Sequence, residues 1–194
     1  MSKPLAAAFR PQSLDDVRGQ KHLLGKNSVF RMAVESGALP NMIFYGPSGV
    51  GKTTVATIVA KMSNKKLFKL NGTQSSVGDI KDIISQIDTI GAENGILLYL
   101  DEIQYLNKKQ QQSLLEVIED GSVTLIASTT ENPYFSVFNA ILSRSTIFEF
   151  KPLTPEDIAR GINRVIKKYN RENRSEVALD RQAEDIISHS CSGD

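Results

Sequence analysis

Eight consecutive residues, Gly46-Pro47-Ser48-Gly49-Val50-Gly51-Lys52-Thr53, constrain this chain more than anything else in it. They match the pattern G-x-x-x-x-G-K-[ST] and stand between an apolar run, residues 42–45, and a segment, residues 54–62, whose Val55, Ile58 and Val59 recur at helical spacing. A loop of this kind needs that setting of strand, glycine turn and helix. Glycines let successive backbone N–H groups turn inward on phosphate oxygens, and the helix N-terminus adds its dipole. Lys52 can then reach the outer phosphates, and Thr53 offers a hydroxyl to Mg²⁺. Gly46 through Thr53, with Thr54 directly behind, is therefore the expected nucleotide cradle. With ordinary residue usage the pattern arises by chance roughly once in a hundred chains of this length, before its setting is counted.

The rest of the chain repeats the alternation. Residues 67–70, 95–100, 123–127 and 147–150 are short apolar runs, and 95–100 is apolar on both faces, as a strand buried between two helical layers must be. Residues 77–90 and 108–119 read as helices, and a loop surrounds Pro133. With 42–45 this makes five strands alternating with helices, an α/β layered fold on a mainly parallel sheet. Residues 1–26, punctuated by Pro4, Pro11, Gly19 and Gly25, read as an irregular arm, and 27–36 as a short helix closed by Gly37. After Lys151-Pro152 the character changes, with helices expected over 155–169 and 180–190. Thr154-Pro155-Glu156-Asp157 opens the first of them with a capping hydroxyl, a proline at the first helical position and acids on the dipole. The expected division is an arm over 1–26, a core over 27–152 and a small helical segment over 153–194.

Composition narrows the function classes. A chain of 194 residues holds one sizeable core with a small appendage. Its 23 Lys+Arg against 22 Asp+Glu leave a net charge of +1, so it is no globally basic nucleic-acid coat, and any such contact must come from a local patch. No apolar run approaches the ~18–20 residues of a membrane span, and the apolar stretch near Met1 is too short for a secretion signal. One cysteine, Cys191, and two histidines argue against disulfide and zinc frameworks; Cys191 and His189 are expected to carry no role.

Further polar residues stand at the expected strand ends. Leu97-Leu98-Tyr99-Leu100-Asp101-Glu102 places two carboxylates at the C-terminal end of a buried strand, where open α/β sheets bind ligands. Asp101 can hold the magnesium shell, and Glu102 is placed to orient and deprotonate an attacking water. The strand over 123–127 runs into Ser128-Thr129-Thr130-Glu131-Asn132-Pro133, where a hydroxyl can hold the water or the γ-phosphate. Thr130 is favoured, with Thr129 the alternative. Arg144, just before the last strand, is either a plain surface arginine or a finger reaching a neighbouring subunit's ATP. Met42, Phe44 and Phe150 read as core.

Together with the arm, these elements resemble the AAA+ ATPases of the clamp-loader group, and among them the replication-associated recombination protein A family, also called maintenance of genome stability protein A. The likeness rests on Pro4-Leu5-Ala6, Arg10-Pro11, Gly19-Gln20, His22-Leu23-Leu24-Gly25, Asp101-Glu102-Ile103, Thr129-Thr130-Glu131-Asn132-Pro133 and Leu142-Ser143-Arg144. It implies a P-loop core with a helical lid, ATP and Mg²⁺ held between them, Val17 and Gly19 lining the adenine pocket, and Thr130 reading the γ-phosphate. By the same likeness Arg144 acts on the next subunit of a homo-oligomer, a tetramer in the full-length proteins. Asn71 is similar to the polar residue that restrains the catalytic glutamate until DNA binds, or else simply starts a turn. Lys81 matches a basic position on a helix that tracks DNA, and Lys108 and Lys109 open another helix; a solvated helix face is the other reading. Forked or single-stranded DNA and replication proteins are the implied partners, in a cytoplasmic, nucleoid-associated setting without membrane contact.

Departures are equally specific. Ser48 and Val50 replace the second proline and the threonine of the family's Gly-Pro-Pro-Gly-Thr, and Gln104-Tyr105 replaces its His-Arg. The family's Gly-Asp-x-Arg is met only as far as Gly193-Asp194, so the second sensor arginine is absent and an N-terminal fragment with slow hydrolysis is expected. Two further readings share these residues: a clamp-loader or branch-migration subunit, and an adaptor that binds ATP without productive hydrolysis.

Overall fold

The computed structural model describes residues 8–86 and 94–191. The expectations for Pro4-Leu5-Ala6, for the end of the helix over 77–90, and for Gly193-Asp194 lie outside those residues.

In chain order the elements are α1 (Lys21–Leu24), α2 (Val29–Glu35), β1 (Asn41–Tyr45), α3 (Lys52–Met62), β2 (Lys66–Asn71), α4 (Val77–Ile84), β3 (Ile96–Asp101), α5 (Lys108–Glu119), β4 (Val123–Thr129), α6 (Pro133–Ser136), α7 (Asn139–Leu142), β5 (Ser145–Glu149), α8 (Pro155–Asn173) and α9 (Arg181–Ser190). The strands form one sheet in the order β2-β3-β4-β1-β5, parallel throughout. This is the α/β architecture expected. Register sets Ile43 of β1 beside Ala127 of β4 and Ile147 of β5, and Leu100 of β3 beside Leu70 and Ala127. Every strand therefore ends on the same edge, where the chain leaves β1 for the glycine loop.

Side-chain alternation sends each strand's residues into two apolar layers. Met42 and Phe44 of β1 join Phe30, Val55, Val59, Phe148 and Phe150 on one face. Ile43 joins Leu98, Leu100, Leu114, Ile118 and Leu125 on the other. Aromatic edges knit the first layer, with ring centroids 5.1 Å apart for Phe30 and Phe148 and 5.0 Å for Phe44 and Phe150. Each such pair adds about 0.5–1.5 kcal/mol beyond its buried area. No described residue of β4 is exposed, which is why its run is apolar on both sides.

Boundaries differ from expectation where a local contact decides them. α3 begins at Lys52 because Gly51, in the left-handed region at φ 102°, caps it from inside the loop. β5 begins two residues earlier than expected; Phe150 falls past its end yet still donates its N–H to Tyr45 O at 2.7 Å. The loop around Pro133 holds two single-turn helices, one capped by Asn132. The arm is less irregular than its sequence implies. It carries a 3₁₀ turn at Leu14–Asp16 and the one-turn α1, and Gln20 anchors it: its amide donates to Lys151 O at 2.7 Å and accepts from Lys151 N–H at 2.9 Å.

Candidate nucleotide site

The glycine loop is pinned at its root by both neighbouring strands. Gly46 N–H donates to Thr129 O at 3.2 Å, while Tyr45 O holds Phe150 N–H. Gly46 itself sits at φ 143°, and a Cβ there would lie 2.0 Å from Phe150 O, so no other residue fits without moving backbone. Gly49 and Gly51 also have positive φ, at 74° and 102°. Gly51 caps α3 with no side-chain hydrogen bond, which leaves first-turn N–H groups directed at the loop's interior. Val50 is buried, Pro47 and Ser48 are exposed on the loop, and Thr54 lies half-buried in the first turn of α3. The Lys52 ammonium, 7% exposed, donates to Gly46 O at 2.6 Å and Pro47 O at 2.7 Å, and so lies across the cradle it would share with phosphates.

Oxygen donors converge beside it. Thr53 Oγ1 stands 3.0 Å from Tyr99 Oη, which is 3.0 Å from Asp101 Oδ1 and 2.9 Å from Ser128 Oγ. Ser128 in turn donates to Asp101 Oδ1. Burial pushes the Tyr99 phenol up, so it stays protonated. One phenol proton among three oxygens imposes an order: Thr53 donates to Tyr99, and Tyr99 donates toward Asp101, directly or through Ser128. The lone pairs of Thr53 and the second Asp101 oxygen remain for a cation. A set made only of hydroxyl and carboxylate oxygens fits Mg²⁺ rather than a softer ion. On the same side a pocket of about 400 Å³ is lined by Thr53, Lys69, Asn71, Gln74, Tyr99 and Asp101 among others, and burial pulls the Lys69 ammonium down.

Glu102 follows in the left-handed region, φ 55° and ψ 55°, a strained conformation for a side chain of its kind. Its carbonyl lies where a Cβ on Gly72 would be, 2.2 Å away, so Gly72 admits the turn that re-aims the carboxylate. Gln104 Nε2 donates to Glu102 Oε2 and, at 3.3 Å, to Thr130 Oγ1, while its Oε1 is buried without a partner. Thr130 is thus the threonine that shares a donor with Glu102. Thr129 is fully buried and accepts from Glu131 N–H at 3.0 Å. Asn71 spends its carbonyl on Thr73 N–H at 2.9 Å and Thr73 Oγ1 at 2.6 Å, the geometry of a turn start.

Two further predicted parts differ in their distance from the loop. Val17 Cγ1 comes within 3.9 Å of a Cβ placed on Gly51, and Gly19, at φ 70°, abuts Leu153 and Asp157, so the arm borders both the loop and the start of α8. Arg144 is not brought to the site. Its carbonyl accepts from Asn41 at the opposite end of β1, five residues and about 16 Å along the strand from Gly46, and its guanidinium pairs with Glu119 at 2.7 Å. Lys81, Lys108 and Lys109 are exposed on α4 and α5, whose N-terminal ends Gln110 joins by donating to Ser75 O at 2.9 Å. Sequence reasoning gave no role to Gln20, Tyr99, Gln104 or Ser128. The signal for one of them was present: the hydroxyl of Tyr99, inside an otherwise apolar strand, must find a partner.

A glycine loop between β1 and α3, facing two carboxylates at the end of β3, defines a P-loop nucleotide-binding core. The sequence model of the ATPase family associated with various cellular activities (AAA) matches residues 42–153. Replication-associated recombination protein A of Bacillus subtilis is 37% identical over 99% of this chain and 45% of its own length. Its namesake from Escherichia coli K12 is 34% identical over 99% of the chain and 43% of its own length. Among solved structures, the RuvB Holliday junction branch migration motor of Thermotoga maritima superposes with TM-score 0.74 at 27% identity, over 93% of this chain and 59% of that one. The chain belongs to the AAA family of ATPases, in the branch of the replication-associated recombination protein A relatives. It spans less than half the length of those two curated relatives.

Proposed function

We propose that this chain binds ATP with Mg²⁺ and hydrolyses it, as the nucleotide module of a protein that maintains DNA during replication and recombination. The observation that carries the reading is the hydroxyl chain from Thr53 through Tyr99 to Asp101, which joins the glycine loop to the carboxylate strand. Residues 46–54 cradle the phosphates, with Lys52 moving from the loop carbonyls to the outer phosphates. Val17 and Gly19 border the adenine. Thr53 and Asp101 hold Mg²⁺, which neutralises charge on the phosphate oxygens when bound. Glu102 takes the proton of the attacking water and Thr130 orients the γ-phosphate. Gln104 holds both side chains, so its amide sets where the base points.

Arg144 serves a neighbouring copy. Its position at the far end of the sheet supports a role in trans within a homo-oligomer, a tetramer by likeness. The arm over 1–26, the core over 27–152 and the lid over 153–194 are the working parts, and Lys81, Lys108 and Lys109 are the core's DNA contacts, in a cytoplasmic, nucleoid-associated protein with replication partners. A chain alone turns over slowly, because the finger comes from elsewhere.

Glu102→Gln tests the reading. ATP should bind Glu102→Gln as it binds the parent chain, while turnover falls about 10²–10⁴-fold, the contribution of a general base. Equal turnover in both would remove Glu102 from the chemistry, and a parent chain that binds ATP but never turns over, alone or assembled, would make it an adaptor.

A further inference from the structure

Charge is distributed unevenly over a chain whose net value is only +1. A groove of about 560 Å³ between the arm and α8 is lined by Arg18, Arg160, Arg164, Lys167, Lys168 and Arg171, with no carboxylate in its wall. The helix supplies five of them. Positions three, four, seven and eight apart share a face, so residues 160, 164, 167, 168 and 171 make one stripe along about 16 Å of α8. The arm runs along that helix in the opposite direction, with Phe9 against Tyr169 at 6.2 Å and Asp16 paired to Arg164 at 2.8 Å, and brings Arg18 to the other wall.

Three of the six are partly compensated. Arg164 has Asp16, Lys168 has Glu172 at 3.8 Å and the Phe9 ring at 5.3 Å, and Arg160 lies one turn after Glu156. Arg18, Lys167 and Arg171 have no carboxylate at ion-pair distance among the described residues. None of the six serves the core, because α8 buries no residue and Arg18 is exposed. Like charges held side by side repel, and the three cations without a carboxylate partner leave the groove with a net positive charge that an anionic ligand would relieve.

We infer that this groove binds the phosphodiester backbone of DNA, as a contact separate from Lys81, Lys108 and Lys109. The inference rests on the proposed role in DNA maintenance. Length argues for a polymer: one DNA strand carries a phosphate per 3.4 Å of duplex axis, so a 16 Å stripe faces four or five of them, more than a mononucleotide offers. The groove shares no residue with the glycine loop.

The experiment is fluorescence anisotropy with labelled single-stranded and duplex DNA at 50 and 200 mM salt, on the parent chain and on Arg18→Ala/Lys167→Ala/Arg171→Ala. Neutralising about four phosphates predicts a roughly 150-fold loss of duplex affinity across that range for the parent. The triple variant should bind at least tenfold more weakly at 50 mM, with its log–log slope shallower by about 2.7 on duplex or 2.1 on single strands. Loss on one form alone identifies which form the groove takes. Unaltered affinity and slope in the triple variant would overturn the groove, and if Lys81→Ala/Lys108→Ala/Lys109→Ala then abolishes binding, the DNA role stands without it. A parent chain that binds no DNA at 50 mM also overturns it, while ATP turnover, read separately, reports on the proposed chemistry. Thermal melting checks the fold, and Lys167→Glu, one exposed position with reversed charge, repeats the test should the triple variant melt early.

Discussion

At the ends of β1, β3 and β4, apolar layers hold each polar group from beneath: Tyr99 is 1% exposed and Ser128 and Thr129 are fully buried. Along α8 no residue is buried, and α9 buries only Ser188. The first region has its geometry imposed by packing, and nothing short of local unfolding changes it. The second is placed by a few polar contacts, Gln20 on Lys151 and Asp16 on Arg164, which are cheap to break and remake. The phosphate and metal roles proposed above call for fixed register and fall on the first kind of structure; the proposed lid falls on the second.

Substituting a glycine in each region tests the contrast most sharply. Gly46→Ala should destabilise the chain by about 3 kcal/mol in denaturant melts, since its Cβ meets the Phe150 carbonyl at 2.0 Å. Gly161→Ala, inside α8 with nothing within 4 Å of the added atom, should stabilise by about 0.8 kcal/mol. If Gly46→Ala proves neutral, the loop is not pinned by β5 and the comparison breaks.

Between these extremes lies Tyr99→Phe, which keeps the ring and removes one oxygen from the Thr53–Asp101 chain. Loss of a buried hydrogen-bond relay predicts about 1–2 kcal/mol of destabilisation. The more telling readout is binding of a fluorescent nucleotide as Mg²⁺ is titrated: the Mg²⁺ midpoint should rise several-fold, with binding in EDTA unchanged. A midpoint that stays put would leave the phenol as packing alone.

Much of the packed region was legible because its rules are local. The glycine loop, Asp101 and Glu102 announce themselves by residue type, and runs such as Leu97 to Leu100 allow only a buried strand. What stayed hidden depends on partners distant in sequence. Gln20 reads as an ordinary polar residue until Lys151 arrives, 131 positions later. Gln104 reads as a departure from its family until Thr130 closes on the other side. The basic stripe was hidden differently: its five helical cations sit among apolar residues in a sequence of near-zero net charge, and only the arm's return along α8 makes them one wall of a groove.

The smallest expected effect joins the two regions. Asp16→Asn removes the partner of Arg164, a pair with side chains 35% and 25% exposed, so its loss should cost no more than about 0.5 kcal/mol. Asparagine keeps the side chain's shape, and Gln20 still holds the arm to Lys151, so the groove's walls stay in place. The groove then gains one uncompensated positive charge. If its cations hold phosphates, DNA affinity at 50 mM salt should rise two- to fivefold and the salt slope steepen by about 0.9 on duplex, the reverse of the triple alanine variant. An affinity that falls instead would mean that the ion pair positions the arm, and that α8 depends on its few polar contacts more heavily than their exposure implies.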